Sequence, residues 1–188
     1  MFKILTSGCE PTRGSEFSAC VDVYASEDVT IEAGATKLIG LGICIDESYI
    51  FENIIDKSIA SLGLTDQEIV EFNRVDEFKK SHYLQLMLRS SLGKKGLILP
   101  NGVGVIDLDY KDEIKMIIHN PIAYIFNEEN EDLSLKTYSY SDREDLIIES
   151  FEIKKGDRIG QITLLEHKSF LFGIETTATR TGGFGSTN

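Results

Sequence analysis

The chain has 188 residues, three cysteines, three histidines and a net charge of −12. That length suits one domain with a sizeable core, and the acidity excludes nonspecific nucleic-acid binding. No apolar run is long enough for a bilayer and no basic-then-apolar leader opens the chain, so a soluble, cytoplasmic protein is expected.

The charge is unevenly placed. Residues 46–80 carry nine acids against four bases, residues 122–152 carry nine against two, and the remainder balances at 13 of each. A substrate with several negative charges therefore meets a neutral framework, and the acidity resides in two segments that read as additions. Cys9, Cys20 and Cys44 are odd in number and lack metal-type spacing, so buried free thiols are expected. His82, His119 and His167 are scattered and form no ligand cluster for zinc.

Taken in chain order, apolar or alternating segments predict strands over 2–6, 29–33, 37–45, 84–88, 104–108, 114–119, 151–153 and 159–165. Many short strands without intervening helices predict an all-β barrel or jelly roll in one domain, 1–188. The segment 46–80 breaks the rhythm. Phe51, Ile54, Ile55, Ile59 and Leu62 recur at helical spacing, and Gly63 ends the run. Thr65 and Glu68 form a capping box before a second stripe, Ile69, Val70, Phe72, Val75 and Phe78. A helical hairpin over 50–80 is predicted, its stripes packed inward on the barrel; a partner-binding face is the alternative. Residues 122–126 are strand-like, 127–132 form an acidic turn, 133–140 read as another strand, and 146–153 lead back into the framework. An extra β-arm over 122–152 is predicted. The end, Arg180-Thr181-Gly182-Gly183-Phe184-Gly185-Ser186-Thr187-Asn188, has one aromatic among glycines. It reads either as a frayed terminus or as a mobile flap, 178–188, that closes on a nucleotide.

Five segments stand out together. They are Ser18-Ala19-Cys20-Val21-Asp22-Val23-Tyr24-Ala25, Leu88-Arg89-Ser90-Ser91-Leu92-Gly93, Gly102-Val103-Gly104-Val105-Ile106-Asp107-Leu108-Asp109-Tyr110, Lys155-Gly156-Asp157-Arg158-Ile159-Gly160-Gln161-Ile162, and the tail. In content and order they resemble the five motifs of the trimeric dUTPase family, from about residue 18 to the end, interrupted by the two insertions. The resemblance implies a jelly-roll-like distorted β-barrel. It implies hydrolysis of dUTP to dUMP and pyrophosphate, which limits uracil entry into DNA and supplies dUMP for thymidylate synthesis.

Hydrolysing a phosphoanhydride needs an aimed water, a base and positive groups on the phosphates. By resemblance, Asp107 orients the attacking water. Tyr110 lies against the deoxyribose and leaves no room for a 2′-hydroxyl, and Asn101 with the hairpin of Val105 reads the uracil edge. Arg89, Ser90, Ser91 and Gly93 match the phosphate-contacting motif, and Gln161 matches a glutamine that touches the phosphates. Arg89 has a second reading as a structural ion-pair partner of Asp22, and Arg158 reads as structural. In the tail, Arg180 clamps the γ-phosphate, Phe184 covers the uracil, and Gly185, Ser186 and Thr187 supply hydrogen bonds. The resemblance implies Mg²⁺ carried by the substrate phosphates, with no direct protein ligand and Asp22 reaching it through water at most. It also implies a homotrimer whose sites are each built from three subunits.

The sequence departs from the family at several points. Leu88 stands where proline is usual, Cys20-Val21 replaces Gly-Tyr, and Asp112 replaces a turn glycine. The tail has one residue fewer than usual between Arg180 and Gly182, which bears on the reach of Arg180. Two rival readings are a dCTP deaminase-like enzyme, which would lack this tail, and a regulatory protein of this fold that binds a partner through its insertions.

Overall fold

The computed structural model describes residues 1–55, 74–121 and 150–174. The interior of the predicted helical hairpin, the β-arm and the flap lie outside the described residues. Eleven strands are present among the described residues, and every pairing between them is antiparallel. Five form one sheet in the order β2-β3-β11-β7-β8: β2 (Thr12–Arg13), β3 (Val21–Tyr24), β11 (Arg158–Glu166), β7 (His82–Leu88) and β8 (Gly104–Asp107). Three further pairs complete the framework. They are β1 (Phe2–Ile4) with β6 (Ile43–Ile45), β4 (Val29–Ile31) with β10 (Phe151–Ile153), and β5 (Thr36–Gly40) with β9 (Lys115–His119).

The core lies between the large sheet and these pairs. Val23, Leu84, Leu86, Ile159 and Ile162 enter it from the sheet, and Ile31, Ile39, Met116, Ile118 and Ile153 from the pairs. The two-residue period of a strand is visible in β9, where buried Met116 and Ile118 alternate with half-buried Lys115, Ile117 and His119. Burying twenty such side chains, at about 25 cal/mol per Å² of apolar surface, is the main favourable term in folding.

The segment predicted as one strand over 37–45 is two. The chain changes partner at Leu41 and Gly42, pairing first with β9 and then with β1. Gly42 has φ +64°, its carbonyl accepts from Leu5 and Thr6 N–H at 2.7 and 3.1 Å, and its own N–H donates to Glu113 Oε1 at 2.8 Å. An unbroken apolar run conceals such a switch, because hydrophobic alternation carries no record of a left-handed residue. The sequence reading also passed over β2 and β3, where Asp22 interrupts an otherwise apolar strand.

The first insertion begins and ends as helix. Asp46 caps the helix α1 (Glu47–Ile50), its carboxylate accepting from Tyr49 N–H at 3.3 Å, and a π-helical turn follows over Phe51–Ile55. The chain returns as α2 (Arg74–Ser81). Ile50 is fully buried and Val75 and Phe78 of the second stripe pack on the core, whereas Phe51 of the first stripe is 50% exposed. Lys79 Nζ meets Glu47 Oε1 at 2.7 Å and holds the two ends of the insertion together.

A Cβ at Gly42 meets the Cβ atoms of Thr6 and Cys9 at 2.8 and 2.9 Å. Gly42→Ala adds this clash to a left-handed backbone and should cost on the order of 2 kcal/mol or more, read as a lowered urea midpoint. The thiols should also differ. Cys9 is fully buried and donates to Ala25 O at 3.6 Å, and burial pushes its pKa up; Cys44 is buried and Cys20 half-buried. A thiol reagent at pH 8 should label Cys20 first and Cys9 only on unfolding, which mass spectrometry of the native protein will show.

Candidate active site

Asp22 is the one charged residue buried among the described residues, with 5% of its surface exposed. It sits in the middle of β3, opposite Gln161 of β11. A carboxylate out of water needs donors around it. Arg89 Nε lies 3.3 Å from its Oδ1, Arg158 Nη1 3.3 Å from its Oδ2, and Gln161 Nε2 donates to Oδ1 at 3.1 Å. Two of the sequence-predicted phosphate-side residues, Arg89 and Gln161, thus converge with Arg158 on one buried acid. Arg158 behaves as expected of a structural residue, and Arg89 adopts the ion-pair reading.

Arg89 is held by the sheet itself. It follows β7 in an extended conformation, φ −65° and ψ 139°, and its N–H donates to Ile159 O at 3.1 Å. The chain then turns into a single helical turn, α3 (Ser90–Gly93), anchored by buried Leu92 and leaving Ser90, Ser91 and Gly93 at the surface. The hydroxyls and open backbone therefore lie immediately beside the Asp22 cluster.

A cleft of about 290 Å³ opens elsewhere on the chain, near the small end of the range for small-molecule sites. Asn101, Val105 and Tyr110 line it together with Leu86, Leu99, Gly104, Ile106, Ile114, Lys115 and Ile117. Gly104 makes the close approach of β8 to β7 feasible, since a Cβ there would stand 3.1 Å from Leu86 Cβ. Tyr110 lines the cleft, is 9% exposed, and its hydroxyl donates to Glu113 O at 3.3 Å. Tyr110 N–H also donates to Asp107 O at 3.1 Å, so the turn that ends β8 fixes both residues. Asp107 is exposed at the end of β8, beyond the cleft lining.

Asp107 and the Arg89 group do not meet within the described chain. Asp107 stands opposite Tyr83 on β7, and Arg89 follows the far end of the same strand. Six residues at roughly 3.3 Å each separate them by about 20 Å. Arg180, Phe184, Gly185 and Ser186 lie outside the described residues. Among those described, no group of three His, Cys, Asp or Glu side chains is placed to hold a metal ion, and no helix is long and apolar enough to cross a membrane.

No protein-family model matches the chain. A deoxyuridine 5′-triphosphate nucleotidohydrolase (dUTPase) of Debaryomyces hansenii is 30% identical over 185 residues, covering 94% of this chain and 79% of that protein. The chain belongs to the dUTPase family. The dUTPase of Rickettsia akari is 29% identical over 188 residues, with 96% and 89% covered. The fold is likewise that of solved dUTPases. The Streptococcus mutans enzyme superposes with a TM-score of 0.51 at 20% identity over 88% of this chain and 94% of that one. An aspartate-to-asparagine variant of the dUTPase from phage phi11 of S. aureus gives 0.54 at 16% identity over 95% of both, and that structure concerns coordination of a structural Mg(II) ion. The described part of this dUTPase is mostly strand, as the jelly-roll-like expectation requires.

Lys115 is the cleft residue that sequence reading overlooked. Its signal was a lone cation inside the otherwise apolar run Ile114 to Ile118. Removing the Asp22 charge should be severe, since Arg89 and Arg158 would lose their shared counter-ion. Asp22→Asn should destabilise the fold by about 2–3 kcal/mol in chemical denaturation. Arg158→Ala should cost less than Arg89→Ala, because the Arg158 side chain is 52% exposed and that of Arg89 23%.

Proposed function

We propose that this chain hydrolyses dUTP to dUMP and pyrophosphate in sites assembled between copies of itself, as a homotrimer. The observation that carries the reading is the junction of cleft and carboxylate. Asn101, Val105 and Tyr110 line one pocket, and the strand that lines it ends at Asp107. A nucleoside fills such a cleft with its phosphates leading outward past Asp107. The buried Tyr110 ring, fixed through its hydroxyl and its backbone, is a rigid wall against the sugar. A rigid wall rejects a 2′-hydroxyl by steric conflict, which excludes UTP.

Asp107 acts on water. Its carboxylate orients the water oxygen toward the α-phosphorus and accepts its proton as the P–O bond forms. The bond from the α-phosphorus to the bridging oxygen breaks, and pyrophosphate leaves. Ser90 donates toward that bridging oxygen, and Arg89, Ser91, Gly93 and Gln161 form the surface on which the phosphates lie. The glycine-rich tail, with Arg180, Phe184, Gly185 and Ser186, closes over the substrate and expels bulk water.

The two ends of β7 supply the reason for more than one copy. Asp107 and the Arg89 group are about 20 Å apart along one strand, whereas a water at the α-phosphate must touch both halves of the site. The Asp107 half of one subunit facing the Arg89 half of another removes the conflict. Just before the tail, Phe170, Leu171, Phe172 and Ile174 are 61–85% exposed, an apolar run suited to contact with a neighbouring copy.

Mg²⁺ enters with the substrate, on the triphosphate. Of the roughly four lone-pair sites on the Asp22 carboxylate, Arg89, Arg158 and Gln161 take three, leaving one for a water of the ion's shell.

Pyrophosphate release should be rapid with dUTP and at background with dCTP, dTTP and UTP. Asp107→Asn should bind dUTP with affinity near that of the wild type in calorimetry, while kcat falls by about 10²–10⁴. A near-normal kcat in that variant would remove Asp107 from the mechanism.

A further inference from the structure

The turn that carries Tyr110 is fastened at both ends. At its start, Tyr110 N–H donates to Asp107 O at 3.1 Å. At its far end stands Glu113, which lies outside the five sequence motifs. Its backbone carbonyl accepts from the Tyr110 hydroxyl at 3.3 Å, and its half-buried carboxylate accepts from Gly42 N–H at 2.8 Å through Oε1. Residue 113 therefore holds Tyr110 with its backbone and the bend between β5 and β6 with its side chain. The framework makes room for that reach. A Cβ at Gly40 would stand 2.5 Å from Glu113 Oε1 and 2.6 Å from Ser26 Oγ, so glycine at the end of β5 leaves the carboxylate its place. The bend is itself well anchored. Leu41 N–H donates to Ile114 O at 3.0 Å, Ile114 N–H to Ile43 O at 2.8 Å, and Ser26 N–H to Gly40 O at 2.9 Å; Leu41 and Ile43 are fully buried.

We infer that Glu113 is a positioning residue for sugar discrimination: it ties Tyr110 to the Gly42 bend and so keeps the ring where a 2′-hydroxyl would collide with it. The inference rests on the reading of the cleft as the nucleoside site. A steric wall discriminates only as far as it resists displacement. A tyrosine fixed at its backbone alone retains its side-chain torsions, and a ring free to swing aside admits the ribonucleotide at small cost. The hydroxyl's bond to Glu113 O removes that freedom, provided the carbonyl is itself held. Lys111 and Asp112, just before it, are exposed and give the turn no burial to hold it by. The Glu113 carboxylate supplies the hold. Its bond to a backbone N–H is charge-assisted, one of the stronger kinds. A deoxyribose carries only hydrogen at the 2′ position and does not press on the ring. Loosening Tyr110 therefore affects UTP far more than dUTP.

The test compares wild type with Glu113→Ala, Glu113→Gln, Gly40→Ala and Tyr110→Phe in the full chain. The readouts are kcat/KM for dUTP and for UTP and, separately, the urea midpoint. Glu113→Ala should raise UTP turnover so that the dUTP/UTP ratio of kcat/KM falls about tenfold, as loss of one hydrogen bond to a charged group implies. Glu113→Gln keeps an acceptor for Gly42 N–H and should keep most of the discrimination. Gly40→Ala points a methyl at the flexible end of Glu113, so it should displace the carboxylate and lower the ratio in the same way. Added to Glu113→Ala it should lower the ratio little further, the mark of two residues acting through one contact. Tyr110→Phe keeps the ring, loses the bond to Glu113 O and should narrow the ratio too; it decides the matter if Glu113→Ala does not fold. A merely structural Glu113 would lower the urea midpoint and scale both substrates alike. An unchanged ratio in a folded variant would therefore overturn the inference and leave the dUTPase reading intact. A wild-type protein that does not cleave dUTP would overturn both.

Discussion

A single buried carboxylate organises the phosphate side of this molecule. Asp22 lies inside β3 and would be untenable there without donors, so the chain supplies Arg158 and Gln161 from β11 and Arg89 from the end of β7. Those contacts join three neighbouring strands at one level of the sheet. They also straighten Arg89 so that the next residues turn outward as Ser90–Gly93. The position of the surface hydroxyls thus follows from the need to satisfy one acid.

The other half of the chemistry depends on a different constraint, the close contact of β8 with β7. Gly104 lies against Leu86, and the register that follows sets Asp107 opposite Tyr83. Because β7 is common to both halves, its length fixes their separation. One chain therefore carries Asp107 and the Arg89 group at opposite ends of a strand. In the proposed trimer, symmetry among identical copies brings the two groups together, and activity would then be inseparable from assembly.

Much of this was legible in the sequence. The strand predicted over 151–153 matches β10, and those predicted over 84–88, 104–108, 114–119 and 159–165 lie within one or two residues of β7, β8, β9 and β11. Alternation there reflects a half-buried sheet, which a period of two reports faithfully. It failed where burial was complete or interrupted. Gly42 reverses the backbone inside an apolar run, and Asp22 looks like a strand breaker because its partners are 67, 136 and 139 residues away. The motifs located Asn101, Val105 and Tyr110 in one cleft, yet gave Arg89 two readings that only its contact with Asp22 separates. Lys115 lay in none of them.

The described ends of the first insertion leave this organisation intact. The ends of the first are fastened by Lys79 and Glu47 and seated on the core through Ile50, Val75 and Phe78. The most direct measurement of a site shared between copies is subunit complementation. Asp107→Asn and Ser90→Ala/Gln161→Ala chains, each nearly inactive alone, are unfolded, mixed in equal amounts and refolded together. If Asp107 and the phosphate surface come from different subunits, random assembly leaves about a quarter of the sites fully wild-type, and dUTP turnover returns to about that fraction. A mixture no more active than the average of its two components would place the whole site within one chain and contradict the account.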